Sequence, residues 1–247
     1  MAIVQTKPEV HYPESDGKPM AEPPEHLEVM LALIATLQAY FAHRQDVYVA
    51  GNQFLYWIEG NPRQRVAPDV YVAFGVPRRP WRAIWKVWEV GKAPDVIIEL
   101  TSPSTAAEDL GRKYQLYQRL GVGEYLLIDV KHEYLKEPLN LYRLTNGEYQ
   151  RVPNERPSPE EWRVHSQLLG LTFVLMPGEG RYDLRLWEPQ KGRWLPNPFE
   201  AAERYELAQQ QLHDMERRFA QEAEARAQLE RRVRELEEEL RRLKEGR

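Results

Sequence analysis

From Phe199 to Glu245 the chain contains neither proline nor glycine, and Tyr205, Ala208, Leu212, Met215, Phe219, Glu222, Arg226, Leu229, Val233, Leu236, Leu240 and Leu243 recur at alternating steps of three and four. That is a heptad seam with two polar positions in its middle. It predicts one helix, about 70 Å long at the α-helical rise of ~1.5 Å per residue. A helix of that length outruns what a single domain can cover, so residues 199–245 are expected to form a coiled coil with a second copy, making a homodimer. The competing reading is a single solvated, highly charged helix. Either way, a globular domain has to be built from the residues before it.

Those residues suffice for one domain. The sequence has 247 residues, 42% of them hydrophobic, enough for a substantial core. Residues 1–24, rich in proline and charge, are expected to be loosely ordered or wrapped over the surface. The domain is placed at 25–196. No run approaches the ~20 apolar residues of a membrane span, and the start carries no signal-peptide pattern, so a soluble, cytoplasmic protein without a membrane partner is expected. With no cysteine, any metal must be held by carboxylates, histidines or backbone oxygens, which favours hard cations such as Mg²⁺ (or Mn²⁺). The net charge is −4, divided evenly about residue 198. A nucleic-acid partner would therefore need a local basic cluster.

Along the domain, Leu27, Met30, Leu31, Ile34, Leu37, Tyr40 and Phe41 predict an amphipathic helix from Glu25 to about His43. Strand-like runs follow at VYVA, QFLYWI and DVYVAF. The run DVIIEL is apolar on both faces apart from one carboxylate, as in a central strand covered on both sides. Thr105 to Glu108 reads as a capping box opening a helix that Gly121 stops. EYLLIDV is the next strand, LNLYRL and EYQRV form a hairpin through Asn146-Gly147, and LLGLTFVLM and RYDLRLW add sheet. The order predicts an α/β fold, a mixed sheet flanked by helices.

Glu99 is the residue that asks for an explanation, because an ionised carboxylate inside an apolar strand is costly unless paired or bound to a cation. Asp95 shares its parity but lies ~13 Å along the strand. Asp69, opening its own apolar run after Pro68, is the better companion from a neighbouring strand, within about 5 Å if both are to share one Mg²⁺. On the following helix Ala106, Leu110, Lys113, Tyr114, Tyr117 and Leu120 form one stripe, with Lys113 the odd member. From spacing alone, a structural Glu99–Lys113 ion pair is as good a reading as a catalytic one.

The motifs from Val66 to Asp129, namely APDVYVAFGV, WEVGKAPDVIIELTSPST, EDLGRKYQLY and LGVGEYLLID, resemble the Uma-type family of putative restriction endonucleases. The resemblance implies a restriction-endonuclease-like fold of the PD-(D/E)XK superfamily. It implies that Asp69 and Glu99 bind Mg²⁺; the backbone oxygen of Leu100 is expected to join them as a third donor. Thr101 stands where the superfamily pattern has lysine, so the lysine role passes to Lys113. It also points to His26 and Glu28 (or Glu25) on the first helix, and to Asp109 and Asp129. First-turn helix stabilisation and capping are the competing readings for these.

The one locally basic stretch has Arg78, Arg79, Arg82 and Lys86 interleaved with Trp81, Trp85 and Trp88. It could hold phosphates and stack bases. Helical spacing of the tryptophans offers core packing as the alternative. The expected function is Mg²⁺-dependent endonucleolytic hydrolysis of DNA. The alternative is an inactive nuclease-like DNA-binding or scaffold protein assembled through its coiled coil. No serine-nucleophile motif, phosphate-binding glycine loop or H-E-x-x-H occurs to support another hydrolase class.

Overall fold

The apolar runs of the domain become the strands of a six-stranded mixed sheet. The computed structural model describes residues 10–15, 17, 23–102, 104–178 and 181–245. It divides into two units, Met1–Asn197 and Pro198–Arg247. In the first, α1 (Pro24–Tyr40) precedes β1 (Val47–Ala50), β2 (Leu55–Tyr56), β3 (Arg65–Val66), β4 (Val70–Phe74), β5 (Trp85–Lys86) and the single turn α2 (Val87–Val90). Then come β6 (Val96–Leu100), α3 (Ala106–Glu108), a π-helical turn (Asp109–Lys113), α4 (Tyr114–Arg119), β7 (Glu124–Ile128), β8 (Leu139–Thr145) and β9 (Glu148–Val152). The strands β10 (Trp162–Ser166), β11 (Leu171–Pro177), β12 (Tyr182–Glu188) and β13 (Arg193–Trp194) complete the unit.

The main sheet has the order β1-β4-β6-β7-β8-β9, with β10 to β13 forming a second sheet and β3-β2-β5 a third. Strands β6 and β7 run parallel, joined by the α3–α4 helical crossover, and the other pairs in the main sheet are antiparallel. Alternation divides the core into two layers. Val70, Val72, Ile98 and Leu100 face a layer shared with α1 and the β10–β12 sheet. Tyr71, Ala73, Ile97 and Leu127 face one shared with α4, β2 and β5. Glu99 has the parity of the second layer, the one α4 covers. The hairpin forms as read, with Asn146 at φ 52° and Gly147 at φ 86°, both left-handed as a tight two-residue turn requires.

Several sequence expectations need correction. The run QFLYWI pairs only at Leu55 and Tyr56, and the strand Trp162–Ser166 was not foreseen. The tryptophan segment is not a helical stripe. Trp85 lies in β5, where it pairs with Leu55 in a parallel bridge and is fully buried against Tyr48 and Tyr71, and only Trp88 falls in a helical turn. Helix α1 is rotated from the expected face: His26, Val29, Met30, Leu33 and Leu37 point inward, while Leu27 and Leu31 are exposed. The capping box does not form; the Thr105 hydroxyl accepts the Ser102 N–H at 3.0 Å instead.

Of residues 1–24, residues 1–9, 16 and 18–22 lie outside the described part. Tyr12 packs on Tyr56 and Trp88 with ring centroids 5.1 and 5.2 Å apart, and the Tyr56 hydroxyl donates to the Pro13 carbonyl at 2.6 Å. The second unit is one helix, α5 (Pro198–Glu245), along which Tyr205, Leu212, Met215, Phe219, Leu229, Val233 and Leu236 are exposed. Among the described residues no helix is long and apolar enough to cross a membrane.

Candidate active site

The antiparallel register of β4 and β6 sets Val70 opposite Ile98, and one step further brings Asp69 opposite Glu99. Residues opposed in this way present their side chains on the same face. The two carboxylates are interlocked with the main chain. Asp69 Oδ2 accepts the Leu100 N–H at 2.7 Å, and Glu99 Oε2 accepts the Asp69 N–H at 3.3 Å. A strand residue turns its N–H and C=O to the same neighbour, so the Leu100 carbonyl also lies on the Asp69 side.

The helix after β6 supplies the positive charge. Lys113 Nζ stands 3.1 Å from Glu99 Oε2 and 2.8 Å from Asp109 Oδ1, and the Tyr117 hydroxyl donates to Glu99 Oε1 at 2.8 Å. The π turn between Asp109 and Lys113 makes this set possible. One extra residue per turn re-phases the helix, so Asp109 turns inward with Lys113 and Tyr117, while Leu110 is 48% exposed. The regular stripe read from the sequence put Leu110 inside and gave Asp109 a capping role; the structure reverses both.

On the open side, His26 Nε2 lies 3.4 Å from Asp69 Oδ1, carried there by the rotation of α1. Glu28 is not part of the cluster, since it pairs with Arg181 at 2.9 Å, and Glu25 lies 3.5 Å from Lys131. Asp129 accepts the N–H groups of Lys131, Tyr134 and Leu135, a turn role. Asp95 binds Lys92 and the Phe74 N–H. The basic stretch is engaged within the domain. Arg78 donates to the Ala42 carbonyl, Arg79 lies 4.0 Å over Trp81, Arg82 covers Tyr48, and Lys86 pairs with Glu89 at 2.8 Å.

Two buried carboxylates therefore contact one ammonium, with the half-buried Asp69 beside Glu99, which is itself 1% exposed. Burial pushes the Glu99 carboxyl up to about 8; Lys113 opposes the rise, while Asp69 and Asp109 add to it. Burial likewise raises Asp109, against Lys113. For Lys113 burial acts downward, but Glu99 and Asp109 outweigh it and hold the ammonium charged. The folded chain thus keeps a proton on Glu99 between pH 4.5 and about 8 that the unfolded chain has released. The stabilising contribution of that proton is complete below 4.5 and lost as pH rises through about 8, and Asp109 acts in the same direction. Urea midpoints should fall from pH 5 to pH 8, with a shallower fall in Glu99→Gln.

Residues 2–176 match the family model described as Uma2, putative restriction endonuclease. The chain belongs to the Uma2 family. All the clustered residues, from His26 to Tyr117, lie within the Uma2 match, and α5 lies outside it. Among solved structures, the Uma2 chain is similar to a putative nuclease belonging to DUF820 from Anabaena variabilis ATCC 29413. The identity is 16%, with a TM-score of 0.42, over 62% of this chain and 76% of that one. No curated protein matches the chain. The family is the one described as putative restriction endonuclease, and α/β is the chain's fold class.

Proposed function

We propose that this Uma2 chain is a Mg²⁺- or Mn²⁺-dependent endonuclease that hydrolyses phosphodiester bonds of DNA, with Asp69, Glu99 and Lys113 at its centre. The observation that carries the reading is the opposed pair Asp69 and Glu99 with the Lys113 ammonium 3.1 Å from Glu99. The donor set suits a hard cation: it consists of oxygens alone, it carries more negative than positive charge, and burial holds Glu99 protonated until a cation replaces the proton. Among the described residues no three His, Asp or Glu side chains stand at metal-binding spacing. Two carboxylates and the Leu100 carbonyl, completed by water and substrate phosphate, match the way Mg²⁺ is commonly held.

A bound cation would lower the pKa of its water and offset charge on the phosphate. The chain's own residues do the rest. Tyr117 fixes Glu99 through Oε1, and the Leu100 N–H fixes Asp69 through Oδ2. Lys113, paired with both Glu99 and Asp109, would stay charged through Asp109 and supply the positive charge nearest the phosphate. The test is cleavage of a mixed DNA library with Mg²⁺ or Mn²⁺. Fragments are expected from the parent and none from an Asp69→Ala, Glu99→Ala double variant. Equal fragments from both would sink the proposal.

The second reading, an inactive nuclease-like scaffold, has one observation on its side: both Glu99 oxygens are already hydrogen-bonded within the domain. In either case we propose that the exposed apolar residues of α5 pair two copies. Deleting residues 199–247 should leave the first unit folded and turn a dimer into a monomer by light scattering; the same number of copies before and after, once the lost residues are allowed for, refutes the pairing.

A further inference from the structure

Between the β2–β3 hairpin and helix α4 lies a cavity of about 450 Å³, a size suited to a small organic ligand and far too small for a duplex. Its walls come from two sources. The hairpin contributes Trp57, Ile58 and Gln64; the helix contributes Arg112, Leu116 and Arg119. Arg112 stands in the π turn and Leu116 and Arg119 in α4, yet all three line the one cavity, and the two arginines are seven residues apart, ~10 Å along a helical axis. Among the described residues Arg112 has one ion pair, the exposed one with Glu108 at 3.0 Å, which contributes little, and Arg119 has none. Arg112 and Lys113 are consecutive but point to different faces: Arg112 is exposed into the cleft and Lys113 is buried at Glu99, so one helical element carries both the cleft wall and the central lysine.

An indole, an amide and two available guanidinium groups around a nucleotide-sized space match the chemistry of a base with its flanking phosphates. In a duplex each base is already stacked between neighbours, so a tryptophan wall can receive one only from an unpaired segment. We propose that this cleft seats an unpaired nucleotide of the strand that the site cuts, its base against Trp57 and its phosphates on Arg112 and Arg119. The inference rests on the nuclease reading and narrows its substrate to single-stranded or locally opened nucleic acid. The engaged basic stretch at residues 78–86 is not needed for it.

The experiment is fluorescence anisotropy with the full chain and no divalent cation, using a labelled twelve-nucleotide DNA, its RNA counterpart and the corresponding duplex. The parent should bind a single strand at least tenfold more tightly than the duplex, and the two single strands tell whether DNA or RNA is preferred. Arg112→Ala with Arg119→Ala should weaken binding and lower the slope of log affinity against log salt by about 0.7 per arginine. Trp57→Ala should weaken binding about fivefold or more, and Trp57→Phe should restore most of it. The arginines are exposed, and a melting curve for each variant checks folding. If the parent cuts nucleic acid while these variants bind as it does, the cleft assignment is overturned and the nuclease reading stands. Duplex binding as tight as single-strand binding, or displacement of the oligonucleotide by equal inorganic phosphate or mononucleotide, overturns it too. A parent that neither binds nor cuts removes both.

Discussion

Replacing Glu99 by Gln is expected to lower cation-dependent cleavage at least about a hundredfold while shifting the unfolding free energy by no more than about 1 kcal/mol at pH 7. Loss of groups that merely support a metal ligand already costs ten- to a hundredfold, so removing the ligand's charge should cost at least as much. The stability side follows from the hydrogen bonds. Near neutral pH burial keeps Glu99 mostly protonated, so the amide replaces a neutral group of the same shape. Its oxygen can accept the Asp69 N–H and the Lys113 ammonium where Oε2 does now, and its NH₂ can donate to the Tyr117 hydroxyl. Lys113 still has Asp109 at 2.8 Å. Were Glu99 half of a closed structural ion pair, breaking it would cost about 3–5 kcal/mol. Melting with and without Mg²⁺ separates the cases: a difference in the parent that vanishes in the variant supports the proposal. A large drop in melting temperature together with no Mg²⁺ effect in the parent favours the scaffold.

The central carboxylates were legible because each violates its local pattern. Glu99 interrupts an apolar strand, and Asp69 follows a proline at the mouth of another. Lys113 stood out for the same reason on its helix. Asp109 was not legible as a partner, because the stripe was drawn with regular helical phase and the π turn breaks that phase. Two faint signals were present: Asp109 and Lys113 are four apart, the spacing of a helical ion pair, and Gly111 between them is a weak helix former. Tyr117 was on the right face but read as packing, since nothing in the spacing says that its hydroxyl meets a carboxylate. The tryptophan segment was legible only in part: spacing offered core packing, and Trp85 is fully buried, but it arrives there through a parallel bridge to Leu55 that local spacing does not encode. The rotation of α1, and with it the approach of His26 to Asp69, depends on the sheet beneath the helix, which its own apolar pattern does not encode.

Gly51→Ala should be among the most damaging single changes outside the charged cluster. A Cβ at position 51 would sit 1.9 Å from the Asp69 carbonyl oxygen and 2.9 Å from both the Asp69 carbonyl carbon and Ile34 Cδ1. The first two are main-chain atoms, so no side-chain rotation relieves the overlap. The segment after β1 would have to withdraw from the entry to β4 by more than 1 Å, straining the bond from the Asn52 N–H to the Pro68 carbonyl, now 2.8 Å. Overpacking of this kind costs about 1–3 kcal/mol where neighbours can shift and more where they cannot. We therefore expect at least about 3 kcal/mol from urea denaturation. Function should suffer beyond stability, because the displaced main chain carries Asp69, and an error of ~1 Å in a positioned group can cost about a hundredfold in rate. Gly147→Ala supplies the contrast. Its φ of +86° makes alanine unfavourable, yet nothing lies within 4 Å of the added carbon, so the expected cost is about 1 kcal/mol with cleavage retained. Equal losses of activity in the two variants, measured where both are fully folded, would show that the close approach at Gly51 does not position Asp69.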